Sequence, residues 1–258
     1  MNTSLATAGG IAIDILVTGY PGKSVCHGGL GWSTIALLRG AGRIALIDVG
    51  GFAQRSLLID GLARHGLRPG DVTDVVLTHA HWDHAINWVL FPRAEVWIGD
   101  AELDWAVGQP DGETPVPELY VRALRDLDRC RLVRPRQTVP PGLLAHAAPG
   151  HTPGHLVFVL DMGRYDVIFT GDAAKNRAEL LSRTADMTFD PAVSRASIEH
   201  IWALWHARPG SILVPGHDTP MRLDPAGMPV PLGPREAAID AWFGDDLDST
   251  TRFRLTSA

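Results

Sequence analysis

Cysteine is nearly missing from this chain, whose 258 residues carry only Cys26 and Cys130. Two thiols that form no C-x-x-C pair make no disulfide framework. Each is read as a small buried apolar residue, in a protein expected in a reducing, cytoplasmic compartment. No stretch approaches the roughly 20 apolar residues that cross a bilayer, so no membrane partner is expected. The N-terminal MNTSLATAGGIAIDILVTGY also lacks a basic segment ahead of its apolar run, as a secretory leader would have. Basic charge is in deficit: 23 Lys and Arg stand against 29 Asp and Glu, a net of -6, which argues against a general nucleic-acid binder. Neither G-x-S-x-G nor a phosphate-cradling P-loop occurs, so no serine or P-loop chemistry is indicated.

What is present is a mixture of short β-rich runs and amphipathic helices. Strands are predicted over 11–20, 33–42 and 43–50, the last two joined by a Gly-Ala-Gly turn, with the first strand starting near residue 12. The Gly- and Pro-rich 21–32 segment between them reads as a mobile loop. Helical spacing of Leu57, Leu58, Leu62 and Leu67 follows, then strands at 74–80 and 94–99, helices at 100–107 and 118–127 around a Pro-rich break, and a strand at 130–133. Strands at 143–148, 155–162, 166–172 and 211–216 and a helix at 191–207 complete a mixed α and β chain. This is long enough for a single domain over 1–258, in which 225–258 reads as a C-terminal surface extension with one helical candidate, PREAAIDAWF.

The chemistry concentrates in THAHWDHAIN, residues 78 to 87, which holds H-x-H-x-D-H directly after the apolar run VVLT. On extended chain, residues two apart face one way, so His79, His81 and Asp83 converge. His84 breaks that period, and a helix starting near Asp83 would turn it toward the other side of the same site. Imidazole with carboxylate suits zinc, iron or manganese rather than calcium. Three further positions lie at strand ends beside glycines, which allow sharp turns: His151 in PGHTPGH, Asp172 in FTGD and His217 in LVPGH.

H-x-H-x-D-H, then G-H-T-P-G-H, G-D and G-H in this order resemble the motif set of the metallo-β-lactamase superfamily. The resemblance spans residues 48 to 217 and implies an α+β fold, a four-layer αββα sandwich with metals at one edge of two sheets. It implies two divalent ions, zinc first with iron or manganese as alternatives. His79, His81 and His151 would hold one, Asp83, His84 and His217 the other, and Asp172 would bridge. Asp48 in LIDVG would hydrogen-bond a ligand histidine and fix its tautomer. Such a pair of ions shares a hydroxide nucleophile, with Asp83 or Asp172 placed to shuttle a proton. His27, Trp82 and Lys175 are candidate pocket residues, and Lys175 stands where small lactonases of the family carry a polar Tyr. The stretch from 69 to 92, with DPA at 190–192, is also similar to the metallo-β-lactamase domain-containing protein 1 group, to which an RNA endonuclease activity is attributed. Arg122, Arg125, Arg129, Arg131, Arg134 and Arg136 would supply its phosphate-binding face. The expected partner is a small-molecule ester or lactone, hydrolysed. Phosphodiester cleavage is the alternative, a single-iron oxygenase of the same fold a further one, and a homodimer is left open.

Overall fold

Alternating apolar strands in hairpin register start the fold. The computed structural model describes residues 3–8, 10–25, 30–235 and 237–256. β1 (Thr3–Ala8), β2 (Ile11–Val17), β3 (Ile35–Gly40) and β4 (Arg43–Ile47) pair antiparallel in succession. Ala41 and Gly42 hold φ of +52° and +73° at the β3–β4 turn, the sign that matches a two-residue hairpin to strand twist. β1 corrects the sequence reading, which started the first strand near residue 12. TSLATA carries one large apolar residue, so its strand character comes from pairing with β2 at the sheet edge rather than from its own pattern.

From β4 onward the first sheet adds strands in parallel, and parallel steps require crossovers. α1 (Arg55–Arg64) leads to β5 (Asp74–Val76), α2 (Trp82–Ala85) to β6 (Glu95–Gly99), and α3 (Asp100–Val107) with α4 (Glu118–Arg125) to β7 (Cys130–Val133). The second sheet is built of β8 (Thr138–Val139), β9 (Leu143–Ala147), β10 (Leu156–Asp161), β11 (Asp166–Gly171), β12 (Ile212–Pro215), β13 (Met221–Leu223) and β14 (Pro229–Pro231). Its one parallel step, β11 to β12, is crossed by α5 (Arg177–Ser182) and α6 (Pro191–Ala207). α6 is started by Pro191 and by Asp190, whose carboxylate accepts from the Ala192 and Val193 amides at 3.0 Å.

Burial assigns the layers. Ile13, Ile15, Leu38 and Ala45 of the first sheet pack against Leu143, Phe158, Val167 and Val214 of the second. Leu58 and Leu62 of α1, Leu103 of α3 and Leu124 of α4 cover the first sheet's other face. Ile198, Ile201, Trp202 and Trp205 of α6 cover the second's. The result is the αββα sandwich. Among the described residues no helix is long and apolar enough to cross a membrane.

The helical candidate in the tail is a second correction. Ala238–Ala241 is a strand, β15, pairing antiparallel with β16 (Thr251–Arg254). Alanine-rich PREAAIDAWF has helical propensity, and strand pairing overrides it. His27 and Cys26, within the 21–32 loop, lie outside the described residues.

Phe158, fully buried between the sheets and opposite Phe169 and Ala145, tests the layer assignment. Phe158→Ala is expected to cost about 3–5 kcal/mol, a fall in Tm on the order of 10 °C for a chain of this size. Calorimetry checks it, and a shift of about 0.5 kcal/mol, as at a surface position, would contradict the assignment.

Candidate metal centre

Strand direction brings the sequence motifs to one edge. β4 runs parallel to β5, β11 runs parallel to β12, and β9 runs the same way as β11 because β10 opposes both. Asp48 follows β4, His79 to His84 follow β5, His151 follows β9, Asp172 follows β11 and His217 follows β12. His81 caps the N-terminus of α2, so the chain passes from extended to helical between His81 and Trp82. That change turns Asp83 and His84 away from the His79–His81 direction, one residue earlier than the sequence suggested.

Seven side chains converge there. Ligand-competent atoms of His79, His81 and His151 lie within 4.8 Å of one another, as do those of His79, His84 and Asp172 and those of Asp83, His84 and His217. His84 Nε2 is 3.2 Å from His217 Nε2, and Asp83 Oδ2 lies 3.6 Å and 3.4 Å from these two nitrogens. Asp172 sets Oδ1 at 3.1 Å from His84 Nε2 and 3.2 Å from His217 Nε2, and turns Oδ2 to His151 Nε2 at 3.4 Å. His151 Nε2 is in turn 2.9 Å from His81 Nδ1. A tetrahedral ion with bonds of about 2.0–2.2 Å separates its ligand atoms by roughly 3.3–3.6 Å, close to the spacing around His84 and His217.

Hydrogen bonding decides which ring nitrogens carry lone pairs. Asp48 accepts from the Thr78 amide at 2.9 Å and from Thr78 Oγ1 at 2.8 Å, and its Oδ2 also meets His84 Nδ1 at 2.7 Å. A carboxylate only accepts, so His84 donates from Nδ1 and turns Nε2 toward the cluster. Thr78 Oγ1 spends its proton on Asp48, so it accepts from His79 Nδ1 at 3.0 Å. His79 Nε2 is thereby a bare lone pair, buried and without a hydrogen-bond partner. Asp172 Oδ1 is likewise buried without a hydrogen bond. Buried acceptors with no donor are costly, and a cation satisfies all of them at once. Asp48 itself holds φ at +52°, left-handed strain of the kind found at sites fixed by their surroundings.

The field in the cluster favours positive charge. Burial lowers the pKa of His84, but the carboxylates of Asp172, Asp83 and Asp48 outweigh it and hold the imidazole well above its ordinary value. Burial likewise raises Asp172, and His217, His84 and His151 outweigh that to hold its carboxyl well below the usual range. Around His81 burial wins over Asp83 and Asp172, bringing the ring down to about 4, so that it is neutral at physiological pH.

Of the candidate pocket residues, Trp82 packs its ring on Gly51 and remains 46% exposed. Lys175 is already engaged: its Nζ pairs with Glu179 at 2.9 Å and donates to the Asp186 carbonyl at 2.6 Å. Its backbone is closer to the chemistry, accepting from the His217 amide at 2.8 Å. The arginine stretch is largely neutralised. Arg122 and Arg125 pair with Asp111 and Asp104, Arg131 with Glu95 at 2.9 Å, Arg134 with Asp100 at 3.3 Å, and Arg129 donates to the Phe91 and Ala94 carbonyls.

Several neighbours escaped the sequence reading as site residues. Trp105 lies edge-on with its ring centroid 6.2 Å from His81, and Phe189 stands 6.2 Å beyond it. Phe189 is 68% and Met187 66% exposed, although the Phe189 amide donates to His151 O at 3.3 Å. Trp105 and Phe189 thus stand as apolar neighbours of His81 and His151 that no periodicity announces. His155 stacks on His79 at 4.9 Å and accepts from the Asp172 amide at 3.1 Å. Thr78 had one sequence signal, its place directly before H-x-H. Glu102, buried beneath both histidine segments, had none.

This geometry has counterparts among known proteins. The model of the metallo-beta-lactamase superfamily matches residues 28–217. Metallo-beta-lactamase domain-containing protein 1 of Rattus norvegicus is 31% identical over 181 residues, covering 69% of this chain and 62% of that protein. Its Homo sapiens counterpart is 30% identical over 221 residues, covering 84% of this chain and 74% of that protein. The chain thus spans under two thirds of the rat protein's length. A solved structure of AidC, described as a dizinc quorum-quenching lactonase in complex with a product, superposes with a TM-score of 0.73 at 18% identity, over 90% of this chain and 97% of that one; at that identity the likeness is one of fold. With the sandwich, the ordered motifs and the family match in agreement, the chain belongs to the metallo-beta-lactamase superfamily.

Proposed function

We propose that the chain is a two-metal hydrolase of small-molecule esters or lactones. In this reading His79, His81 and His151 hold one divalent ion, Asp83, His84 and His217 hold a second, and Asp172 reaches both. Zinc is the metal that suits imidazole and carboxylate donors at this spacing. The observation that carries the reading is Asp172, whose two oxygens face the two groups separately, at 3.1 Å from His84 and 3.4 Å from His151.

When bound, such ions supply a water-derived nucleophile at neutral pH and polarise the bond under attack. Asp48 keeps the His84 proton on Nδ1 and so keeps Nε2 available. Asp83 is the less buried of the two site carboxylates, its side chain 17% exposed against 6% for Asp172. It is therefore the one placed to pass a proton toward the mouth. Trp105 and Phe189 give the His81 and His151 side an apolar wall, suited to an acyl group or a lactone ring. The lactonase title of the structural neighbour agrees with such a substrate. The carboxylate-paired arginines of the 122–134 surface weigh against a phosphate-binding face there.

Metal analysis followed by a panel of lactones, aryl esters, thioesters, β-lactams and phosphodiesters tests this. Two zinc ions per chain and turnover of esters or lactones are expected, lost on chelation and restored by zinc. Cleavage confined to phosphodiesters overturns the substrate reading, and one iron per chain with oxygen consumption overturns the hydrolase reading.

A further inference from the structure

Glu102 is a carboxylate in the fold's interior for which the proposed chemistry has no use. It lies in the first turn of α3 and is fully buried, where an ionised group is costly unless its lone pairs are met. They are met from two chain segments at once. Oε1 accepts from the Ala80 amide at 2.9 Å, and Oε2 accepts from Thr152 Oγ1 at 2.7 Å and from the Gly154 amide at 3.1 Å. Ala80 lies between His79 and His81, Thr152 follows His151, and Gly154 precedes His155. Two of these donors, Ala80 and Thr152, are thus direct chain neighbours of His79, His81 and His151, and none of the three adjoins Asp83, His84 or His217.

The backbone contact beneath this clamp is equally close. A Cβ on Gly154 would overlap the Glu102 amide and lie 2.6 Å from the Ala101 carbonyl carbon, and one on Gly99 would lie 2.9 Å from Gly154 O. The 150–155 turn thus rests directly on the start of α3, leaving little freedom to either side. Burial pushes the Glu102 pKa up to about 7, against the opposing effect of its three hydrogen bonds.

We propose that Glu102 is a positioning residue: by bonding both segments with one carboxylate, it sets the approach of His151 to His79 and His81 and selectively governs metal affinity at that half of the centre. This rests on the reading that those three rings hold an ion. Partners that orient ligands in this way typically change metal affinity by about 10–100-fold.

The test compares wild type with Glu102→Gln, which keeps the shape but sets an amide NH2 against an N–H or O–H donor. Thr152→Val and Thr152→Ser serve as milder variants should the first fail to fold. Zinc binding is read by competition with a chromophoric chelator, and the half affected is identified from the imidazole nitrogen shifts of His151 and His217. The expected result is a 10–100-fold weakening at the His151 half in Glu102→Gln, a smaller weakening there in Thr152→Val, wild-type affinity in Thr152→Ser, and unchanged binding at the His217 half. Equal weakening of both halves, as a general loss of structure would produce, overturns the proposal. So does wild-type affinity in both Glu102→Gln and Thr152→Val, which leaves the two-metal reading standing. Wild-type protein that binds no zinc at His151 overturns both.

Discussion

Asp172→Ala is expected to lower kcat/KM on the best ester or lactone by roughly 10³-fold or more, the scale on which preorganised electrostatic groups are felt, and to reduce the metal held per chain. The carboxylate is the one group that faces His84 and His217 through one oxygen and His151 through the other. Without it, the five imidazoles of the cluster face each other with less negative charge to attract a cation. The same removal takes the counter-charge from His84 and His217, so metal-free Asp172→Ala is expected to melt below metal-free wild type. Steady-state kinetics, metal analysis and thermal denaturation of the two metal-free proteins check the three parts. A variant that keeps both ions and turns over within about tenfold of wild type, a difference of about 1.4 kcal/mol in the barrier, would show that Asp172 does not join the two groups.

Gly216→Ala reaches the same carboxylate from the backbone side. Gly216 sits between the end of β12 and His217, donates to the Gly171 carbonyl at 3.0 Å and accepts from the Thr34 amide at 2.7 Å. An added Cβ would overlap Asp172 Oδ1 and lie 2.7 Å from Gly171 O. The turn cannot give way without moving His217 or Asp172, both of which belong to the cluster. The expected cost is about 1–3 kcal/mol of stability, as for an overpacked interior. The expected fall in kcat/KM is about 10²-fold, the effect of displacing reacting groups by an ångström. Gly244→Ala is the control, because nothing lies within 4 Å of its Cβ position, and it is expected to behave as wild type. Similar losses in the two variants would mean that contact with Asp172 is not what makes Gly216 necessary.

The ordering of these effects follows from how the site is assembled. Asp48, Thr78 and Gly216 act on the ligand-type side chains without being ligands themselves, through hydrogen bonds of 2.7–3.0 Å or through the absence of a side chain. Displacing such supports weakens the site by degrees, whereas Asp172 is common to both halves. Lys175 belongs with the supports as well. Its ammonium is held by Glu179 and the Asp186 carbonyl, and the Lys23–Asp186 ion pair ties the start of the 21–32 loop to the same segment. The wall facing Trp105 is thus fastened from two directions.

What was legible in the chain before folding was mainly local. VVLT followed by H-x-H-x-D-H, and glycines beside His151, Asp172 and His217, state a metal chemistry through residue type and spacing, because imidazole and carboxylate are good metal donors and residues two apart on extended chain face one way. Long apolar periodicities such as that of α6 were equally plain, since Ile198, Ile201, Trp202 and Trp205 repeat at helical intervals. Where local preference and long-range pairing disagreed, the sequence misled. PREAAIDAWF reads as helix, and β16 makes part of it a strand; TSLATA reads as little, and β2 makes it one.

Residue types and their order along the chain therefore determined by themselves the superfamily and the set of seven metal-competent side chains. Only the tertiary structure decided that Asp172 divides its oxygens between two groups, that Glu102 lies under the histidines of one of them, that Trp105 and Phe189 stand beside His81 and His151, and that the 122–134 arginines are paired. The physical reason is separation. Ala80 and Thr152 meet through Glu102 across 72 positions of sequence, and Asp48 meets His84 across 36. Bonds of that kind exist only once the two sheets have packed, since no local pattern encodes where a distant strand will end.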